Sequence, residues 1–104
     1  MPHALVIDDE ADLCRLMQMT LTKMGITSDV AYELEHAKTN LANKAYDFCL
    51  TDLKLPDGSG LDIVKLIAKE YPLTPVAVIT AHGNMDLAIE ALKLGALAFV
   101  NRPL

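Results

Sequence analysis

Short apolar runs alternate with longer stretches of helical period five times along the chain, joined by brief connections. Parallel neighbours in a sheet need a crossover between them, usually a helix. The alternation therefore predicts an α/β domain with a parallel sheet, right-handed crossovers and helices on both faces. The first strand is expected at 5–7. From Ala11 the period changes: Leu13, Leu16, Met17, Thr20, Leu21 and Met24 share one helical face until Gly25 stops it. A weaker strand follows at 26–31, then a polar helix at 33–43 with Leu34, Ala37, Leu41 and Ala45 as its apolar stripe. The third strand spans 48–51. Beyond a Pro56-Asp57-Gly58 turn, Ser59 can cap a helix carrying Leu61, Val64, Leu66, Ile67 and Ala68, which Tyr71-Pro72 ends. The unbroken apolar run at 75–79 suits a strand covered on both faces. A last helix opens at Asn84 or Asp86 and stops at Gly95, and a fifth strand follows at 97–100.

At 104 residues the chain is expected to form one domain, 1–104, with a single core. A net charge of −5 argues against nucleic-acid binding by this domain, because phosphate contacts need clustered Lys and Arg. No apolar run is long enough to span a bilayer, so no membrane role is expected, and Met1-Pro2-His3-Ala4 lacks the pattern of a secretory signal. A cytoplasmic location is the expectation. Cys14 and Cys49, far apart and flanked by apolar residues, read as buried, reduced thiols.

Two of the strands run straight into acid: Leu5-Val6-Ile7 into Asp8-Asp9-Glu10, and Phe48-Cys49-Leu50-Thr51 into Asp52. Open α/β sheets keep their ligand sites at the carboxyl ends of the strands. Asp8, Asp9 and Asp52 are therefore expected to gather at one edge. Carboxylates about 4 Å apart repel by roughly 4 kcal/mol per pair at an effective dielectric near 20, so such a cluster keeps protons or binds a cation. Oxygen ligands without His or Cys favour a hard ion such as Mg²⁺. A carboxylate beside such an ion can attack a phosphoryl group and form an aspartyl phosphate. Thr80 and Arg102, at the ends of the fourth and fifth strands, can supply a hydroxyl and a cation to the phosphoryl oxygens.

Val6-Ile7-Asp8-Asp9-Glu10, Leu50-Thr51-Asp52-Leu53 with Pro56-Asp57-Gly58-Ser59-Gly60, Ile79-Thr80-Ala81, and Phe99-Val100-Asn101-Arg102-Pro103 together closely resemble the receiver domain of two-component response regulators. The resemblance runs in order along nearly the whole chain. It implies a flavodoxin-like, doubly wound five-stranded parallel sheet of order 2-1-3-4-5. By position, Asp52 resembles the phosphoacceptor and Asp8 and Asp9 the acidic pair that holds Mg²⁺. Asp9 would be a direct ligand, Asp8 would act mostly through water, and the Lys54 backbone carbonyl would complete the set. Thr80 and Phe99 match the switch pair. Lys54 and His82 fall where the family tunes dephosphorylation. The implied partners are a sensor histidine kinase and a downstream output domain.

Two positions depart from the family pattern. Arg102 stands where Lys is nearly invariable, before a proline whose peptide bond is often cis; a planar fork is not equivalent to a compact ammonium at a tight site. No fifth helix follows the last strand, so apolar residues are expected to be exposed along one side, favouring a homo-oligomer. A pseudo-receiver, a binding module working without phosphate, is the alternative that Arg102 supports. A haloacid-dehalogenase-type phosphatase would need Asp at the position of Lys54, and a flavin protein a Ser/Thr/Gly-rich loop after the first strand; both are absent. Asp52-Leu53-Lys54-Leu55-Pro56 and Thr80-Ala81-His82-Gly83 further resemble receivers of NtrC-type transcription activators, which implies a transcriptional output.

Overall fold

The computed structural model of the chain describes residues 1–103. In chain order the elements are β1 (His3–Ile7), α1 (Ala11–Lys23), β2 (Thr27–Ala31), α2 (Leu34–Asn43), β3 (Phe48–Thr51), β4 (Lys54–Leu55), β5 (Gly58–Ser59), α3 (Gly60–Glu70), β6 (Val76–Thr80), α4 (Met85–Leu94) and β7 (Ala98–Asn101). The main sheet has the order β2-β1-β3-β6-β7, every neighbour parallel. This is the expected 2-1-3-4-5 arrangement once β4 and β5 are set aside. Those two form a separate antiparallel ribbon inside the stretch read as a plain turn.

Side chains alternate across the pleat, so the register sorts them into two layers. Leu5, Cys49 and Val76 form one row and Ile7, Thr51 and Val78 the next. Against these rows pack Leu34, Ala37 and Leu41 of α2, Ile63, Val64 and Ile67 of α3, and Ala91 of α4. Burial of each such aliphatic side chain contributes about 1.5–3 kcal/mol. On the opposite face Ala4 and Val6 meet Cys14 and Leu21 of α1. The same face continues through Leu50, Ala77, Ile79 and Val100, which are half-buried. The described residues hold four helices, and α1 alone lies on that side.

Three expectations need correcting. Ala45, read as part of the apolar stripe of α2, is exposed, because the backbone turns extended at Lys44 and ends the helix at Asn43. The buried stripe of α1 runs through Cys14 and Leu21 with Leu13 and Met17 beside it, whereas Leu16, Thr20 and Met24 are exposed. One Leu–Met pattern supports two faces about a residue apart, and contact with Ala4 and Val6 selects between them. In α3, Ile63 is fully buried and Ala68 is exposed. The ends of the elements otherwise agree within a residue or two. Ser59 caps α3 by accepting from Leu61 N, and Asn84 caps α4 by accepting from Leu87 N. Both cysteines are buried and free.

A polar knot closes the amino-terminal edge of the sheet, where His3 is a half-buried partner and not a surface residue. Asp29 Oδ2 accepts from Tyr46 OH at 2.7 Å, His3 Nε2 at 3.1 Å and Lys44 Nζ at 3.1 Å. The His3 ring also stacks on Tyr46. Desolvation raises the Asp29 carboxyl, but the bonds from Tyr46, His3 and Lys44 together outweigh it and hold the group at about 2. A carboxyl lowered on folding stabilises above its unfolded value and loses that contribution as pH falls through its folded value. With a side chain 28 % exposed, the roughly two-unit shift is discounted to about 1–2 kcal/mol. Asp29→Asn should therefore lower stability by that amount at neutral pH, with the difference shrinking between about pH 4 and pH 2, as measured by urea unfolding across pH.

Candidate functional site

The parallel ladder decides where the acids fall. Asp8 N donates to Ala31 O at 3.0 Å and Asp52 N to Ile7 O at 2.8 Å, so the residues just past β1 and β3 stay locked in register. Asp8, Asp9 and Asp52 each bring a carboxylate oxygen to one point, all within 4.8 Å of one another. Asp8 and Asp52 are buried and Asp9 is exposed. Asp52 Oδ1 accepts from Leu53 N at 2.8 Å, and Asp8 Oδ1 accepts from Glu10 N at 2.9 Å. Asp8 Oδ2 is buried with no hydrogen-bond partner.

That orphaned oxygen is costly. Burial pushes the Asp8 carboxyl up to about 6, with the charges of Asp52 and Glu10 adding, against the opposing pull of the Glu10 N–H and Arg102. A buried acceptor facing two more carboxylates is the donor set a hard divalent ion requires. The acids therefore fit Mg²⁺ on the chemistry of their oxygens.

Thr80 ends β6 fully buried, opposite Asn101 of β7, and its Oγ1 accepts from His82 N at 3.1 Å. A hydroxyl that accepts keeps its own proton to donate. Arg102 N donates to Thr80 O at 2.6 Å, which seats the guanidinium at the same edge. The guanidinium lies 3.8 Å from Asp8 Oδ2, and the ion pair it forms there is with Asp8 and not with the phosphoacceptor candidate Asp52. The Arg102-Pro103 bond is cis.

Phe99 is half-buried against the core. A Cβ on Gly83 would come within 2.6 Å of its ring, so the aromatic lies directly under the loop that follows Thr80. Lys54 of β4 and His82 of the loop after β6 line one cavity of about 230 Å³ with Asp9, Glu10, Leu55 and Pro56. A larger groove of about 590 Å³ along α1 and β2 is lined by residues such as Arg15, Met19 and Thr22, away from the acids.

Sequence reasoning missed two contributors. Asn101 Oδ1 accepts from Gly83 N at 3.2 Å, and Gly60 lets the backbone close behind Asp52. A Cβ at Gly60 would lie 2.0 Å from Asp52 O. The Ser-Gly pair before the helix carried a signal for the second, but nothing local to Asn101 announced the first.

The comparisons agree with this geometry. The family model for the response regulator receiver domain matches residues 4–104. Response regulator protein PilR of Pseudomonas aeruginosa is 48 % identical over 100 residues, covering 96 % of this chain and 22 % of that protein. The DNA-binding transcriptional regulator NtrC of Proteus hauseri is 29 % identical, covering 94 % of this chain and 21 % of that protein. The chain thus spans about a fifth of the length of these curated relatives. Among solved structures, the beryllofluoride-activated NtrC4 receiver domain dimer superimposes with a TM-score of 0.93 at 32 % identity, over 100 % of this chain and 86 % of that one. The signal receiver domain of a Luxo repressor protein from Vibrio parahaemolyticus gives 0.92 at 28 %, over 99 % and 79 %. With sheet order, acid cluster and sequence in agreement, the chain belongs to the response regulator receiver domain family of two-component signalling.

Proposed function

We propose that Asp52 takes a phosphoryl group from the phosphohistidine of a sensor kinase and that the resulting charge switches a downstream, transcriptional output. The observation that carries this reading is the convergence of Asp8, Asp9 and Asp52 within 4.8 Å beside the buried Thr80 hydroxyl. An Asp52 oxygen attacks phosphorus as the phosphorus–nitrogen bond breaks. The imidazole leaves with the electron pair and takes up a proton. Asp8, Asp9, Asp52 and the Lys54 carbonyl would hold Mg²⁺, which when bound supplies positive charge to the phosphoryl oxygens.

Thr80 then donates its hydroxyl proton to a phosphoryl oxygen. Moving it toward Asp52 frees the His82 N–H it now engages and opens space above Phe99, whose ring already contacts the Gly83 loop. This is a population shift between two packings of one loop. Lys54 and His82, facing one cavity with Asp9, are positioned to set water access to the phosphoryl group. Relatives named as transcriptional regulators support a transcriptional output.

A second reading has one observation in its favour. Arg102 already neutralises part of the cluster through Asp8, as a pseudo-receiver working without phosphate would allow. Intact-mass spectrometry after incubation with acetyl phosphate and Mg²⁺ separates the two. The chain should gain one phosphoryl group in the presence of Mg²⁺, and Asp52→Asn should gain none. Arg102→Lys should be phosphorylated at least as fast. An adduct seen only in Arg102→Lys would favour the pseudo-receiver.

The same cluster predicts a stability effect. Asp8→Asn removes a buried charge facing two others, so without Mg²⁺ the variant should melt higher by roughly 4–8 °C, the shift that about 1 kcal/mol gives a domain of this size. It should also lose most of the rise in Tm that Mg²⁺ gives the parent chain. Scanning calorimetry with and without Mg²⁺ checks both.

A further inference from the structure

The ribbon β4–β5 stands between the acid cavity and the start of α2. On one side Lys54, Leu55 and Pro56 form a wall of the cavity that Asp9 and His82 complete. On the other, Asp57 at the ribbon's tip reaches a helix that begins 23 residues earlier: Oδ1 accepts from Leu34 N at 2.7 Å and Oδ2 from Glu35 N at 3.0 Å. The first N–H groups of a helix have no partner within it, and a capping side chain normally comes from the residue just before. Here that residue is Glu33, whose side chain makes no capping bond. The cap of α2 is supplied entirely from the ribbon.

The contact is close and specific. The bond from Leu34 N, then that from Glu35 N, holds the Asp57 carboxyl below the usual carboxylate range, as a helix N-terminus favours. A Cβ on Gly58 would lie 2.7 Å from Leu34 Cδ2, so the ribbon sits directly on the first turn of α2. Leu34 and Leu55 are both buried in the same core.

We propose that Asp57 is a positioning residue: by capping α2 from outside, it fixes the loop that walls the acid cavity and presents the Lys54 carbonyl. This rests on the receiver reading, in which that carbonyl completes the Mg²⁺ ligand set. A cap at residue 33 would stabilise α2 equally well and leave the ribbon loose. The remote cap instead makes one pair of hydrogen bonds hold both, so the loop is ordered before the ion arrives and binding does not bear that ordering cost.

The test uses ¹⁵N-labelled chain titrated with Mg²⁺ and followed at the Lys54 and Leu55 amides, with hydrogen exchange read at Leu34 and Glu35. In Asp57→Ala, exchange at those two amides should quicken by about fivefold. Mg²⁺ affinity should fall by about tenfold, as for loss of an outer partner of a metal site. Asp57→Asn, whose single amide oxygen can accept from only one of the two N–H groups, should fall between the parent and Asp57→Ala in both readouts. Glu33→Asp added to Asp57→Ala restores a local cap without the tie; protection should return while Mg²⁺ affinity stays low. Unchanged Mg²⁺ affinity in Asp57→Ala, or affinity that recovers in the double variant, would overturn the proposal. A parent chain that binds Mg²⁺ with unprotected Leu34 and Glu35 amides would sink this inference alone. A parent chain with those amides protected but no Mg²⁺ response would bring down the receiver reading beneath it.

Discussion

Repulsion among carboxylates, held in place by a parallel ladder, is the constraint on which the structure turns. β1 and β3 are adjacent and in register, and each ends in acid, so Asp8 and Asp52 cannot separate without breaking the ladder bonds at Ala31 and Ile7. The two aliphatic rows packed beneath α2, α3 and α4 supply the stability that opposes this strain. Functional sites commonly carry such local cost, met by the surrounding core.

The two edges of the sheet treat the same residue type in opposite ways. Asp29, in the middle of β2, has three donors on one oxygen and is held at about 2. Asp8, beyond the far end of β1, keeps one buried oxygen without a hydrogen bond, the Arg102 guanidinium standing off at 3.8 Å, and is raised to about 6. The first carboxylate is satisfied and ties three segments together. The second is left wanting a cation. That difference separates a structural acid from a candidate site, and neither composition nor spacing carries it.

Arg102 gives the site its individual character. Its backbone is pinned to Thr80 O, and the guanidinium then extends toward Asp8 at 3.8 Å. A shorter-headed ammonium and a broad guanidinium distribute charge differently over three acids. The charge of the three acids is therefore balanced in part by a guanidinium that engages Asp8.

Much was legible in the order of residues because it depends on local rules. Short apolar runs against a period of about 3.6 residues separate strands from helices, Ser59 and Asn84 announce their helices, and apolar runs ending in Asp8 and Asp52 mark the edge. The sequence alone determined the five-stranded α/β fold and the acids that meet in it. Tertiary structure decided the rest: which stripe of α1 faces Ala4 and Val6, the partnering of His3 with Asp29, the choice of Asp8 by Arg102, and the capping of α2 by Asp57. Each of these joins groups distant in the chain, and a two-residue ribbon such as β4–β5 is too short to have a period. Periodicity reports only on neighbours along the chain; contacts across it exist once packing has brought the elements together.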